Sequence, residues 1–559
     1  MHSRKLIGRL GVGMTMVATS LLSGCETPAK VAASVLPAST PAIVADPDRI
    51  KAHMDFLAAD ELLGREPGTP GYDAAADYVA QQFQALGLKA AGEDNSYFQT
   101  VRLRSAVRKS SESTLSASSD AGIDLALVDG VDFALGGSLR GESVSASADV
   151  VFAGYGIVAP ELSRDDYAGL DVRGKIVAVL SRTPGGLQSE ERAFYGSRKG
   201  REASRRGAVG MISLATPASE KIYSFERLIK EKRLDSARMG WIGEDDEVYS
   251  SAPGLKVGAA ISPAGAEKLF AQAPMSWKEV LAVVAEEGGV PPTFDLPVTM
   301  TISQASTLNT IESANVLGLI EGSDPLLKNE MLVLSAHLDH LGVTKTDEED
   351  RINNGALDNA AGVATLLEAA RLLMAGERPR RSILFFANTA EEKGLLGSQY
   401  FAKQPTVAAD SLVANINLDM PLLTYDFQDV IVFGGSRSTL RDAIQQATAQ
   451  MGLTIGEDPF PEQGIFTRSD HFRFVEEGIP SVMLATGMAN GGEAAWAEHF
   501  EKHYHRPSDD MDNDLDFAAA AKFAELKTRI TLTVANAATR PLWRKDDFFA
   551  RQFDGPQTQ

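Results

Sequence analysis

Met331-Leu332-Val333-Leu334-Ser335-Ala336-His337-Leu338-Asp339-His340 decides the fold. Six residues of strand length, apolar but for one serine, run directly into two histidines and an acid. A short continuous apolar run reads as a strand buried on both faces, the mark of a parallel sheet covered by helices. The pattern recurs at Ile383–Asn388, followed by Glu391-Glu392, and at Val413–Leu418, followed by Asp419. Helical stretches at Ala360–Ala375 and Gly394–Ala402 separate these runs. Ser481–Ala485 adds another strand, and an amphipathic helix spans Phe517–Ala537. Such alternation predicts an α/β fold, a mainly parallel sheet flanked by helices.

In open sheets of this class, ligands collect outside the carboxyl ends of the strands. His337, Asp339, Glu391, Glu392 and Asp419 all follow strands, and Asp358 precedes a helix within Asn354-Gly355-Ala356-Leu357-Asp358-Asn359. They are therefore expected to converge, joined by His505 from the late segment Tyr504-His505-Arg506-Pro507-Ser508-Asp509. Imidazoles and carboxylates without thiolate suit zinc or a related divalent ion. Two histidines and three carboxylates suffice for two ions if one carboxylate bridges. Without a cation, so many converging acids would repel strongly. Asp339, two residues beyond His337, is placed to accept the second ring N–H and fix the tautomer. Of the adjacent Glu391 and Glu392, one can bind metal while the other handles a proton.

These segments resemble the two-zinc aminopeptidases of the bacterial leucyl aminopeptidase and aminopeptidase Y type. Glutamate carboxypeptidase, the glutaminyl cyclases and the transferrin receptor ectodomain are relatives. The likeness is carried by Ala336-His337-Leu338-Asp339-His340, Asn354–Asn359, Glu391-Glu392, Asn417-Leu418-Asp419 and Tyr504-His505-Arg506-Pro507. It implies two zinc ions, one on His337 and Asp419 and the other on Glu392 and His505, with Asp358 bridging. Glu391 would be the general base, and Tyr504 would donate to the developing oxyanion. Arg468-Ser469-Asp470-His471 resembles a segment lining the site, with no role assigned. Leu357 departs from the many members with an acid there; because Asp358 remains, a changed outer contact is expected rather than a lost metal. The implied activity is removal of N-terminal residues from peptides with a free amine. Carboxypeptidase, dipeptidase or glutaminyl cyclase chemistry on the same scaffold is the alternative, and a non-catalytic binding protein is a second.

The likeness extends outward through Leu62-Leu63-Gly64-Arg65 and Ser96-Tyr97-Phe98-Gln99 to residues 138–300, which resemble an inserted, β-rich protease-associated domain. The expected organisation is a signal segment at 1–24, a flexible tether at 25–47 and catalytic parts at 48–137 and 301–545. The insert separates those parts, and a tail follows at 546–559. Gly154-Tyr155-Gly156 lacks the helix and spacing of a phosphate loop and reads as a strand bend. His340, His499 and His503 read as surface or supporting histidines.

At the amino end, Arg4, Lys5 and Arg9 precede an apolar run, Leu10–Leu22, of signal-peptide length. Leu22-Ser23-Gly24-Cys25 resembles the bacterial lipobox, which implies cleavage before Cys25 and lipidation of its thiol. Cys25 is the single cysteine of 559 residues, so intramolecular disulfides and thiolate metal sites are excluded. The expected location is the bacterial cell envelope, membrane-anchored by lipid. The absence of Asp after the cysteine favours the outer membrane, facing the periplasm. The chain carries 54 Lys+Arg against 75 Asp+Glu, a formal charge of −21, which argues against nucleic acid as a partner. Oligomeric state has no readable signal.

Overall fold

A computed structural model describes residues 43–559 apart from 186, 232, 287 and 345–348. The expected signal segment, Cys25 and residues 25–42 of the tether lie outside the described residues. The tether's last residues are bound: the Ala45 amide donates to Glu525 (3.1 Å) and the Asp46 amide to Glu368 (2.7 Å).

Two helices follow. Helix α1 (Pro47–Leu57) is capped by the Asp46 carboxylate. Helix α2 (Pro70–Leu86) starts on Thr69 and Pro70 and stops at Gly87, whose φ of 80° is the left-handed conformation that closes helices. The chain then forms β1 (Phe98–Arg108), β2 (Thr114–Ser119), β3 (Ser143–Phe152) and β4 (Ile176–Leu180). Helix α3 (Ser189–Arg205) leads to β5 (Gly210–Leu214), β6 (Arg238–Trp241), β7 (Val257–Ile261) and the 27-residue β8 (Phe294–Ile320). Next come β9 (Met331–His337), α4 (Ala361–Ala375), β10 (Ser382–Asn388), α5 (Leu396–Lys403) and β11 (Leu412–Leu418). The series closes with β12 (Asp429–Phe433), β13 (Thr454–Gly456), β14 (Ser481–Thr486) and α6 (Phe517–Asn536).

The centre of the sheet bearing the site is parallel. There β10, β9, β11 and β14 lie side by side in parallel. Antiparallel β8 and β1 flank one edge, and antiparallel β12 flanks the other. The sheet is mixed as a whole, with the expected parallel strands at its centre. All seven residues of both β10 and β11 are buried. Helices α4 and α6 pack together on this sheet, and buried Lys527 of α6 donates to the Ile416 carbonyl (2.7 Å).

A second sheet shares β8: its first half pairs with β2 and β3, and β4, β5 and β7 continue in parallel from β3. This sheet starts at Thr114, ahead of the boundary expected at 138. Between β5 and β7 in the chain, β6 leaves this sheet and pairs with β1 of the first. Strand periodicity sets which residues face a core but not which sheet supplies the partner. The final segment, expected as a tail, is packed: Phe548 and Phe549 are buried, and Phe194 of α3 meets Phe548 at 5.1 Å between ring centroids. Among the described residues, no helix is long and apolar enough to cross a membrane.

Candidate metal centre

Each candidate ligand sits where a central strand or helix ends. His337 is the last residue of β9, and Asp419 directly follows β11. Asp358 lies in the turn entering α4, and Glu391 and Glu392 follow β10. His505 arrives from the loop after residues 499–503. The structure brings His337, Asp358 and Asp419 into one cluster; Asp358 and Glu392 form a second with His340. His337 Nε2 is 3.2 Å from Asp358 Oδ1 and 3.2 Å from Asp419 Oδ1. On the other side, His505 Nε2 is 3.3 Å from Asp358 Oδ2 and 3.4 Å from Glu392 Oε2. The two oxygens of Asp358 thus face two different imidazoles, the arrangement a bridging ligand requires.

These separations fit metal ions. A tetrahedral ion with bonds of ~2.0–2.1 Å holds its donors roughly 3.3 Å apart. His337 Nδ1 faces the Asp339 carbonyl at 3.1 Å, so Nδ1 donates there and Nε2 is the ring atom turned to the carboxylates, where a proton or a cation satisfies it. His340 differs: its Nδ1 lies 2.8 Å from Glu392 Oε1, shorter than a ligand–ligand edge and on the oxygen turned away from His505. His340 is fully buried against Glu392. His499 is also buried, and His503 Nδ1 faces the Ser508 carbonyl at 2.8 Å.

Asp339 corrects an expectation. Its backbone carbonyl, not its carboxylate, meets the His337 ring. The carboxylate instead reaches the neighbouring strand end and accepts the amides of Glu391 (Oδ1, 3.0 Å) and Glu392 (Oδ2, 3.3 Å). The turn after β9 aims the carbonyl at the ring, while the side chain extends across to β10. Burial, opposed by His337, pushes Asp339 up to about 7.

Glu391 belongs to neither metal cluster and lines a cleft of about 400 Å³ with Asp358, Glu392 and Asp419. Burial raises its affinity for a proton well above the carboxylate range; His337 opposes this, and Glu392 and Asp419 add to it. Tyr504 lines the same cleft and stacks on His505, with ring centroids 3.8 Å apart. Burial first, then the charges of Asp358 and Glu392, raise Tyr504 far above its usual range, so its hydroxyl remains a donor. Met420, Phe460, Ile465, Met483 and Phe500 form the apolar wall.

Residues without a sequence-level role hold this geometry. The Asp509 carboxylate, fully buried, accepts the amides of Leu357 and Asp358, each at 3.0 Å. Arg65 is buried and donates to the carbonyls of Leu57, Leu338 (2.9 Å), Asn354 (2.6 Å) and Gly355 (3.1 Å), tying the His337 and Asp358 loops together. Ser469 donates to Asp419 Oδ2 (2.5 Å), which gives the Arg468–His471 segment one definite contact. The Leu357 side chain is buried in the core, so the position where an acid is commoner here packs instead of titrating. Arg65 and Asp509 stand inside quoted segments, yet nothing in their spacing marks them, because they bind backbone groups.

Residues 315–531 match Peptidase family M28. A vacuolar membrane protease of Candida dubliniensis is 37% identical over 183 residues, which are 33% of this chain and 18% of that protein. A probable leucine aminopeptidase 2 of Aspergillus oryzae is 25% identical over 288 residues, covering 48% of this chain and 53% of that one. The chain spans only 18%, 15% and 14% of the length of the first three curated relatives it matches. Among solved structures, an aminopeptidase from an Aneurinibacillus strain superposes with a TM-score of 0.51 at 20% identity. That match covers 89% of this chain and 95% of that one, and it shows the same fold.

Proposed function

We propose that this chain, which carries a Peptidase family M28 domain over residues 315–531, is a zinc-dependent aminopeptidase. The observation that carries the reading is Asp358, whose two oxygens face His337 and His505 from opposite sides. His337 and Asp419 would hold one ion and Glu392 and His505 the other, with Asp358 shared. When bound, the two ions make water nucleophilic at neutral pH and polarise the scissile carbonyl. Glu391, free of both clusters, takes the proton from water and returns it to the leaving amine. Asp339 holds the Glu391 and Glu392 amides and so sets the two carboxylates in different directions. Tyr504 donates to the oxyanion. The closed, acid-rich end of the cleft takes the free α-amine, and the apolar wall takes the N-terminal side chain.

Masking the α-amine tests this reading. Acetylation removes the charge, adds bulk and leaves buried carboxylates unpaired, a loss of several kcal/mol. Cleavage should fall at least roughly a hundredfold at about 1.4 kcal/mol per tenfold. The free peptide should shorten one residue at a time from its amino end, and a chelator should stop the reaction. Equal cleavage of both peptides refutes the aminopeptidase reading. Release from the carboxyl end points to a carboxypeptidase, and cyclisation of N-terminal glutamine to a cyclase.

Lipid anchoring through Cys25 in the cell envelope is part of the same proposal, supported by Leu22-Ser23-Gly24-Cys25. Incorporation of labelled lipid into Cys25→Ser would refute it.

A further inference from the structure

The cleft holds one cation among its acids. Arg468 lines it together with Tyr504, is solvent-exposed, and reaches only Gln463 Oε1, at 3.5 Å from Nη1. Among the described residues it has no acidic partner, although Glu462 stands exposed in the same loop. Two more arginines, Arg182 and Arg192, stand behind the segment that carries Arg468. Helix α3 packs on the 461–467 loop so closely that a Cβ on Gly464 would lie 3.1 Å from Ala193 Cβ. Next to Ala193 on α3 is Arg192, whose Nε is buried without a partner. Arg182, just ahead of α3, is held below its usual range by burial and then by the charges of Arg192 and Arg468. Glu190, which opens the same helix, is paired with Arg437 (2.6 Å).

Like charges gathered at the mouth of a substrate cleft repel unless an anion joins them. The chain as a whole carries 21 excess negative charges, so this cluster of arginines is opposite in sign to the net charge. The buried carboxylates occupy the inner end, where the α-amine goes. The exposed Arg468 therefore meets the part of the peptide that continues outward.

We propose that Arg468, backed by Arg182 and Arg192, forms a subsite for a carboxylate on the leaving side of the peptide. The carboxylate is either the C-terminus of a dipeptide or an acidic side chain directly after the scissile bond. The inference rests on the aminopeptidase reading and adds to it a preference for anionic leaving groups. A charge-assisted, fork-shaped contact with guanidinium gives the subsite its selectivity.

Two substrate pairs test it, with kcat/KM measured for each on the whole protein. Leu-Leu is compared with Leu-Leu-amide, and Leu-Glu-amide with Leu-Gln-amide. The anionic member of at least one pair should be favoured by about ten- to a hundredfold, the range of one hydrogen bond to a charged group. The first pair reports the terminal carboxylate and the second the side chain. In Arg468→Gln that ratio should collapse toward one. Arg468→Glu should invert it, favouring Leu-Lys-amide over Leu-Glu-amide. Arg192→Gln should lower the ratio partway. Ratios near one in the wild type, or a ratio unmoved in Arg468→Gln, overturn the subsite while leaving an active aminopeptidase. Absence of all cleavage overturns the parent reading and this inference with it.

Discussion

Asp509 offers a sharp test of how Asp358, the proposed bridging carboxylate, is held. It is fully buried and accepts two amides at 3.0 Å, those of Leu357 and of Asp358 itself. Its own amide is bound by the Arg506 carbonyl, and its carbonyl receives the Ala356 amide, so backbone and side chain grip the same loop. A hydrogen bond to a buried charged acceptor contributes about 1.5–3 kcal/mol. Asp509→Ala removes both and strands two amides, for a loss of about 3–6 kcal/mol before relaxation. Asp509→Asn keeps one acceptor oxygen but points an NH₂ group at the other amide, so about half that loss is expected. The loop bearing Asp358 should then loosen, and zinc affinity should fall about 10–100-fold, as when outer partners of metal ligands are removed. Competition against a graded set of chelators measures affinity, and urea unfolding of the metal-free protein measures stability. Asp509→Asn with wild-type stability and wild-type affinity for both ions would refute the reasoning. Loss of stability with unchanged affinity would show that Asp509 serves the fold and not the site.

Two further predictions separate roles. Glu391→Gln should retain close to two ions, counted by elemental analysis, while losing activity on the order of 10²–10⁴-fold; Glu392→Gln should shed metal, and the reverse outcome exchanges the two assignments. His471 is fully buried, and burial holds its imidazole down at about 3. Because the folded value lies below the unfolded one of about 6.5, its stability contribution is complete above pH 6.5 and is lost as pH falls toward 3. Between pH 6.5 and 5 the loss is about 2 kcal/mol, so His471→Gln should flatten that part of the wild-type curve; parallel curves would reject it.

Much of the centre was legible because its signals are local. Strands buried on both faces need unbroken apolar runs, so β9, β10, β11 and β14 stood within a residue or two of their observed limits. In a parallel sheet the polar residues that follow such runs emerge at one edge, which is why His337, Glu392 and Asp419 could be gathered without coordinates. The bland appearance of Arg65 and Asp509 has an equally physical cause. Both bind main-chain carbonyls or amides, which every residue possesses, so no partner residue type betrays them.

Sequence alone determined the element types of the central sheet, the donor chemistry of the centre and the exclusion of thiolate ligands. Tertiary structure alone decided that Asp358 turns one oxygen to each histidine, and that the Asp339 carboxylate serves the Glu391 and Glu392 amides. It also decided that β8 belongs to two sheets and that α3 packs on the loop beside the cleft. The division follows from range. Periodicity and capping act over a few residues and are written along the chain. Hydrogen bonds to backbone, pairing partners and charge proximity depend on segments 100 to 300 residues apart meeting in space, as Arg65 and Gly355 do.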